Sequence, residues 1–88
     1  MVEFKLYVVQ NSPKTAVTVD KLTAILKHEF NDQYALEVID VFENTEMTER
    51  DGILATPTLI KKSPEPRKRV IGDFKDKGKV FTALGLIG

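Results

Sequence analysis

Phe4, Leu6 and Val8 alternate with Glu3, Lys5 and Tyr7 near the start of the chain, and Val9 extends the run. This period-two pattern predicts a strand near residues 3–9 with one face turned inward. Asn11-Ser12-Pro13 stops it. Ser12 can cap a helix whose first position is Pro13, where the missing proline N–H costs nothing. Val19, Leu22, Ile25, Leu26 and Phe30 then recur at helical spacing and predict an amphipathic helix over 13–30, ended by Asn31-Asp32. Residues 35–41 read as a second strand. Leu36, Val38 and Ile39 put apolar side chains on both of its faces, which predicts a central position in the sheet. Strand, helix and strand in this length imply a βαβ unit with parallel strands.

Asn44 can cap a short helix of good helix formers (Glu46, Met47, Glu49, Arg50), which Gly52 would close. Leu59 and Ile60 mark a strand after Pro57, and Ser63-Pro64-Glu65-Pro66 makes a turn. Residues 67–71 return as a strand, so 58–62 and 67–71 form an antiparallel hairpin. Asp73 can cap a last helix with Val80, Phe81, Leu84 and Ile87 on its apolar face, weakened by Gly78 and Gly85. The resulting order, β-α-β-α-β-β-α, is the thioredoxin-like α/β plan: a four-stranded mixed sheet with helices on its faces. The 88 residues suffice for a single domain, 1–88, and contain no internal repeat or low-complexity tract.

Composition narrows the chemistry. Apolar residues make up 42% of the chain, enough for a core. Lys plus Arg equals Asp plus Glu at 13 each, which argues against nucleic acid as a partner. With no cysteine, the chain has no disulfides, thiolate metal sites or thiol redox chemistry. The N-terminal sequence does not resemble a signal peptide, and no apolar run approaches membrane-spanning length, so the cytoplasm is the expected location and no membrane partner is expected.

Several blocks together carry a resemblance. Lys5-Leu6-Tyr7-Val8 followed by Asn11-Ser12-Pro13, Tyr34-Ala35-Leu36 with Val38-Ile39-Asp40-Val41, Ile53-Leu54-Ala55-Thr56-Pro57-Thr58-Leu59, and Val70-Ile71-Gly72-Asp73 stand in the order and spacing of the KaiB family. The chain resembles that family over nearly its whole length. Thr56-Pro57 falls where thioredoxin-like domains place a cis-proline before a strand, and Pro57 is expected to be cis.

Catalytic signals are weak beside this. Ser12 lies where a thioredoxin active site would be, but a serine nucleophile needs a base. The only histidine, His28, falls on the outer face of the first helix beside Glu29. Asp40, Glu43, Glu46, Glu49 and Asp51 form an acidic stretch that reads as a solvated helix with favourable charge near its N-terminus rather than a metal site. The glycines form no nucleotide-binding motif. No catalytic residue, metal or cofactor is expected.

The basic run Lys61, Lys62, Arg67, Lys68 and Arg69 has two readings: charges that blunt a sheet edge, or a patch for an acidic protein. The resemblance favours the second. It implies a KaiC-type ATPase bound through Lys61, Arg67, Lys68 and Arg69, with a histidine kinase as competitor for that ATPase. Related functions without a clock, in kinase signalling or stress response, are the alternative. The resemblance also implies fold switching between this plan and a form with a rearranged C-terminal half, with a monomer, dimer or tetramer according to fold state. Two such packings must differ by only a few kcal/mol. Ala83 stands at a usual glycine position, and helical Ala favours the thioredoxin-like form by about 0.5–1 kcal/mol. Gly85 stands at a usual aspartate position and is expected to work the other way if it lies inside the helix. The chain also stops at Gly88 without the acidic tail of many family members.

Overall fold

The computed structural model describes residues 1–10, 12–72 and 74–86. Strand β1 (Val2–Val8) is followed by helix α1 (Pro13–Phe30), strand β2 (Tyr34–Asp40), helix α2 (Thr45–Arg50), strands β3 (Thr58–Ser63) and β4 (Lys68–Ile71), and helix α3 (Lys77–Ala83). The sheet order is β2-β1-β3-β4. β1 runs parallel to β2 and antiparallel to β3, which pairs antiparallel with β4.

This order corrects one expectation: β1 is central, and β2 is an edge. The apolar run in β2 is divided accordingly. Ile39 is buried, whereas Val38 is 38% exposed. β1 carries the signature of a central strand, with Phe4, Leu6, Tyr7 and Val8 all buried.

Two cores lie on opposite faces of the sheet. On one, Phe4, Leu6, Val8 and Leu59 meet Leu22 and Leu26 of α1 and Val80 and Phe81 of α3. On the other, Tyr7, Ile39 and Ile60 meet Met47 of α2 and Ile53 just beyond it. Lys77 Nζ lies 2.8 Å from Glu29 Oε1 and joins the start of α3 to the end of α1.

Helix ends follow local chemistry. Ser12 holds the N-cap position of α1 by backbone geometry, but its hydroxyl makes no capping bond. Its carbonyl accepts from the Thr15 and Ala16 amides instead. Asn44 likewise makes no side-chain cap; its amide donates to the Asp40 carbonyl. The expected cap Asp73 lies outside the described residues. Helix α3 starts later, and the Asp76 carboxylate accepts from the Lys79 amide.

Two glycines close helices in the same way. After α2, Gly52 (φ 64°) donates to the Glu49 carbonyl and Ile53 donates to Thr48. After α3, Gly85 (φ 71°) donates to Thr82 and Leu86 donates to Phe81. Both are Schellman motifs, which require a left-handed residue at this point and place an apolar residue after it against the helix. Gly85 therefore lies outside α3 and terminates it, contrary to the expectation that it would weaken the helix from within. Ala83 is the last helical residue, and no strand crosses residues 80–84.

Candidate partner-binding surface

The loop after β1 offers hydroxyls but little chemistry. A cleft of about 170 Å³ there is lined by Val9, Ser12, Lys14, Thr15, Thr56 and Pro57, among others. The Thr56–Pro57 peptide bond is cis, as are Ser63–Pro64 and Glu65–Pro66. The Thr15 hydroxyl is committed to the Val9 carbonyl at 2.5 Å. Ser12 and His28 stand at opposite ends of α1, about 24 Å apart at the helical rise. His28 is exposed, with Nδ1 3.7 Å from Glu29 Oε1. Among the described residues, no hydrogen bond joins Ser12 to a basic side chain.

The acidic stretch does not converge. Asp40 Oδ1 accepts from the Phe42 amide at 3.3 Å. Among the described residues, no group of three or more His, Cys, Asp or Glu side chains is arranged to hold a metal ion. Asp51 is pulled out of the stretch altogether. The fold carries it from the end of α2 onto the sheet face, where its side chain is 8% exposed. Lys5 Nζ lies 3.2 Å from Asp51 Oδ2, and the Tyr7 hydroxyl donates to the same oxygen. Arg67 Nη2 is 3.6 Å from the other oxygen. Burial alone would raise the Asp51 pKa, but the hydrogen bonds from Tyr7 and Lys5 and the charges of Lys5 and Arg67 outweigh it and hold it below the ordinary aspartate value. Burial, reinforced by the bond to the Asp51 carboxylate, pushes the Tyr7 pKa well up.

The basic run is divided between the two faces of the sheet. Arg67 and Arg69 point to the α2 face. Arg69 donates to the Asp51 carbonyl at 2.6 Å and the Gly52 carbonyl at 3.3 Å, which pins its guanidinium against the end of α2. Together with Arg50, Lys68 and Ile60 they line an open cleft of about 460 Å³ around Asp51. Lys68 is exposed and its aliphatic stem passes near Gly85 on the α3 side.

Lys61 departs from the expected patch: it is 3% exposed. It sits opposite Phe4 and Lys68 in the sheet, and its ammonium lies beside Gly85. It is on the inner face of β3, the face that carries Leu59 into the core. The exposed cations of the run are Lys62, Arg67, Lys68 and Arg69.

Residues 5–86 match the family model described as the KaiB domain. The chain belongs to the KaiB family. It is 47% identical over 83 residues to the circadian clock oscillator protein KaiB of Gloeothece citriformis, covering 94% of this chain and 78% of that protein. KaiB1 of a Synechocystis species is also 47% identical over 83 residues, with 94% and 79% covered. Among solved structures, the N-terminal domain of Synechococcus elongatus SasA is similar with a TM-score of 0.79 at 22% identity, covering 98% of this chain and 82% of that one. Thioredoxin 1 of Thermosipho africanus follows at 0.71 and 23%, covering 94% and 90%. These two likenesses show that the fold of this KaiB-family chain is thioredoxin-like. Among the described residues, no helix is long and apolar enough to cross a membrane.

The Asp51 cluster escaped the sequence reading, which placed Asp51 on a solvated helix. A signal was present. Lys5 and Tyr7 share one face of a strand whose neighbours are apolar, and a cation on the buried face of a central strand calls for a carboxylate.

Proposed function

We propose that this chain is a cytoplasmic KaiB-type adaptor that binds and modulates a KaiC-type ATPase, and that it has no catalytic activity of its own. The observation that carries the reading is the open cleft in which Arg50, Arg67 and Arg69 flank a single carboxylate, with Lys68 also on its lining. That carboxylate is already engaged by Lys5 and Tyr7, so the cleft keeps a net positive charge. Arg69 is held in place before any partner arrives, which lowers the ordering cost of an acidic contact. Lys68 extends the charge to the hairpin edge and steers approach. A histidine kinase with a domain of the same plan would compete for the same ATPase.

Family membership supports a place in circadian timing, since the curated relatives are clock oscillator proteins. Fold switching belongs to the same proposal. Ala83 inside α3 and Gly85 in its left-handed cap both favour the helical C-terminal segment over a rearranged one. The test is the ATPase rate of a KaiC-type partner with and without this chain. The wild type should change that rate and Lys68→Glu should change it less; an unaltered rate with the wild type would reject the reading.

A further inference from the structure

A second surface has the opposite chemistry. Two large apolar side chains stand out in solvent near the ends of α2: Phe42 is 72% exposed and Leu54 is 95% exposed. Both line one groove of about 410 Å³, floored by Val9, Val41 and Ile53. Its walls are largely apolar, and Glu49 is the charged residue lining it, with no cation among the described residues there. An adjoining depression shares Thr45 with the groove and adds Glu43, Glu46 and one cation, Arg50. Glu46 and Glu49 are three residues apart and so share one face of α2.

An exposed Leu and Phe lining one concave site cost solvation unless something covers them. The acidic rim selects what that is. We propose that this groove is a docking site for a basic amphipathic segment of a protein partner, with apolar side chains on Phe42 and Leu54 and Lys or Arg side chains against Glu43, Glu46 and Glu49. The occupant differs in charge from the acidic partner of the Arg67–Arg69 cleft. This inference does not rest on the ATPase reading, and with both true the chain would bridge two proteins.

The probe is a fluorescein-labelled amphipathic helical peptide of Leu and Lys, with a Leu–Glu peptide of the same pattern as control. Anisotropy titration measures affinity, amide NMR maps the site, and circular dichroism confirms that each variant is folded. The Leu–Lys peptide should bind with shifts centred on residues 41–42 and 53–56, and the Leu–Glu peptide should not. Leu54→Glu should weaken binding by about tenfold or more, as should Glu46→Lys with Glu49→Lys. Val17→Glu, at an exposed apolar residue elsewhere, should leave binding unchanged. Equal binding of both peptides, or affinity unchanged by Leu54→Glu, would overturn the proposal. So would a self-associated chain that Leu54→Glu converts to monomer, since a second copy would then be the occupant.

Discussion

The Tyr7 hydroxyl donates a hydrogen bond to Asp51 and so ties the central strand to the end of α2 across 44 positions of sequence. Lys5 and Arg67 add positive charge to the same carboxylate. Removing that carboxylate leaves a largely buried ammonium without its partner and leaves the buried Tyr7 hydroxyl with the Met47 carbonyl, 3.4 Å away, as acceptor. Asp51→Ala is therefore expected to lower stability by about 3 kcal/mol. Tyr7→Phe, which deletes one donor to a charged acceptor, should cost about 1.5 kcal/mol. Urea unfolding of the two variants checks both values and their order.

The same cluster sets a dependence on pH. The Asp51 pKa is depressed in the folded chain, so the stability it contributes is present above the ordinary aspartate value and lost as pH falls through the folded one. The Tyr7 pKa is raised, so its contribution is complete below the ordinary phenol value, about 10, and is lost as pH rises beyond it. Stability should fall below about pH 4 and again above about pH 10. In Tyr7→Phe the alkaline decline should be smaller. Denaturant midpoints across pH measure this.

Gly52 and Gly85 both hold left-handed backbone at a helix end. An added Cβ has room at each, so its penalty is conformational rather than steric contact with neighbours. Gly52→Ala and Gly85→Ala should each cost about 1 kcal/mol. Ala83→Gly should cost about 0.5–1 kcal/mol, acting on the last turn of α3. Amide exchange across residues 80–86 should quicken in Ala83→Gly and Gly85→Ala, while exchange in α1 stays as in the wild type.

The order of elements was legible because each carried its own period and its own stop. The alternation of Phe4, Leu6 and Val8, the helical spacing from Val19 to Phe30, and the breakers at Pro13, Gly52 and Pro64 act locally. Strand position was less legible. Leu36, Val38 and Ile39 read as a strand buried on both faces, yet β3 takes the far side of β1 and leaves β2 at the edge. The basic run suffered from the same limit. A period of two sends Lys61 inward and Arg67 and Arg69 to the face of α2, and only the sheet register reveals which is which. Asp51 was hidden because its partners lie on a strand that precedes it by more than forty residues.

The account centres on positive charge at the β3–β4 hairpin meeting an acidic protein. Lys68 is the cleanest probe, since it is exposed and takes no part in the Asp51 cluster. Isothermal titration of a KaiC-type ATPase with the wild type and with Lys68→Glu tests this directly. The wild type should bind with an affinity that falls as salt rises, and Lys68→Glu should bind about tenfold more weakly with an unchanged circular dichroism spectrum. Equal affinity of the two proteins, insensitive to salt, would contradict it.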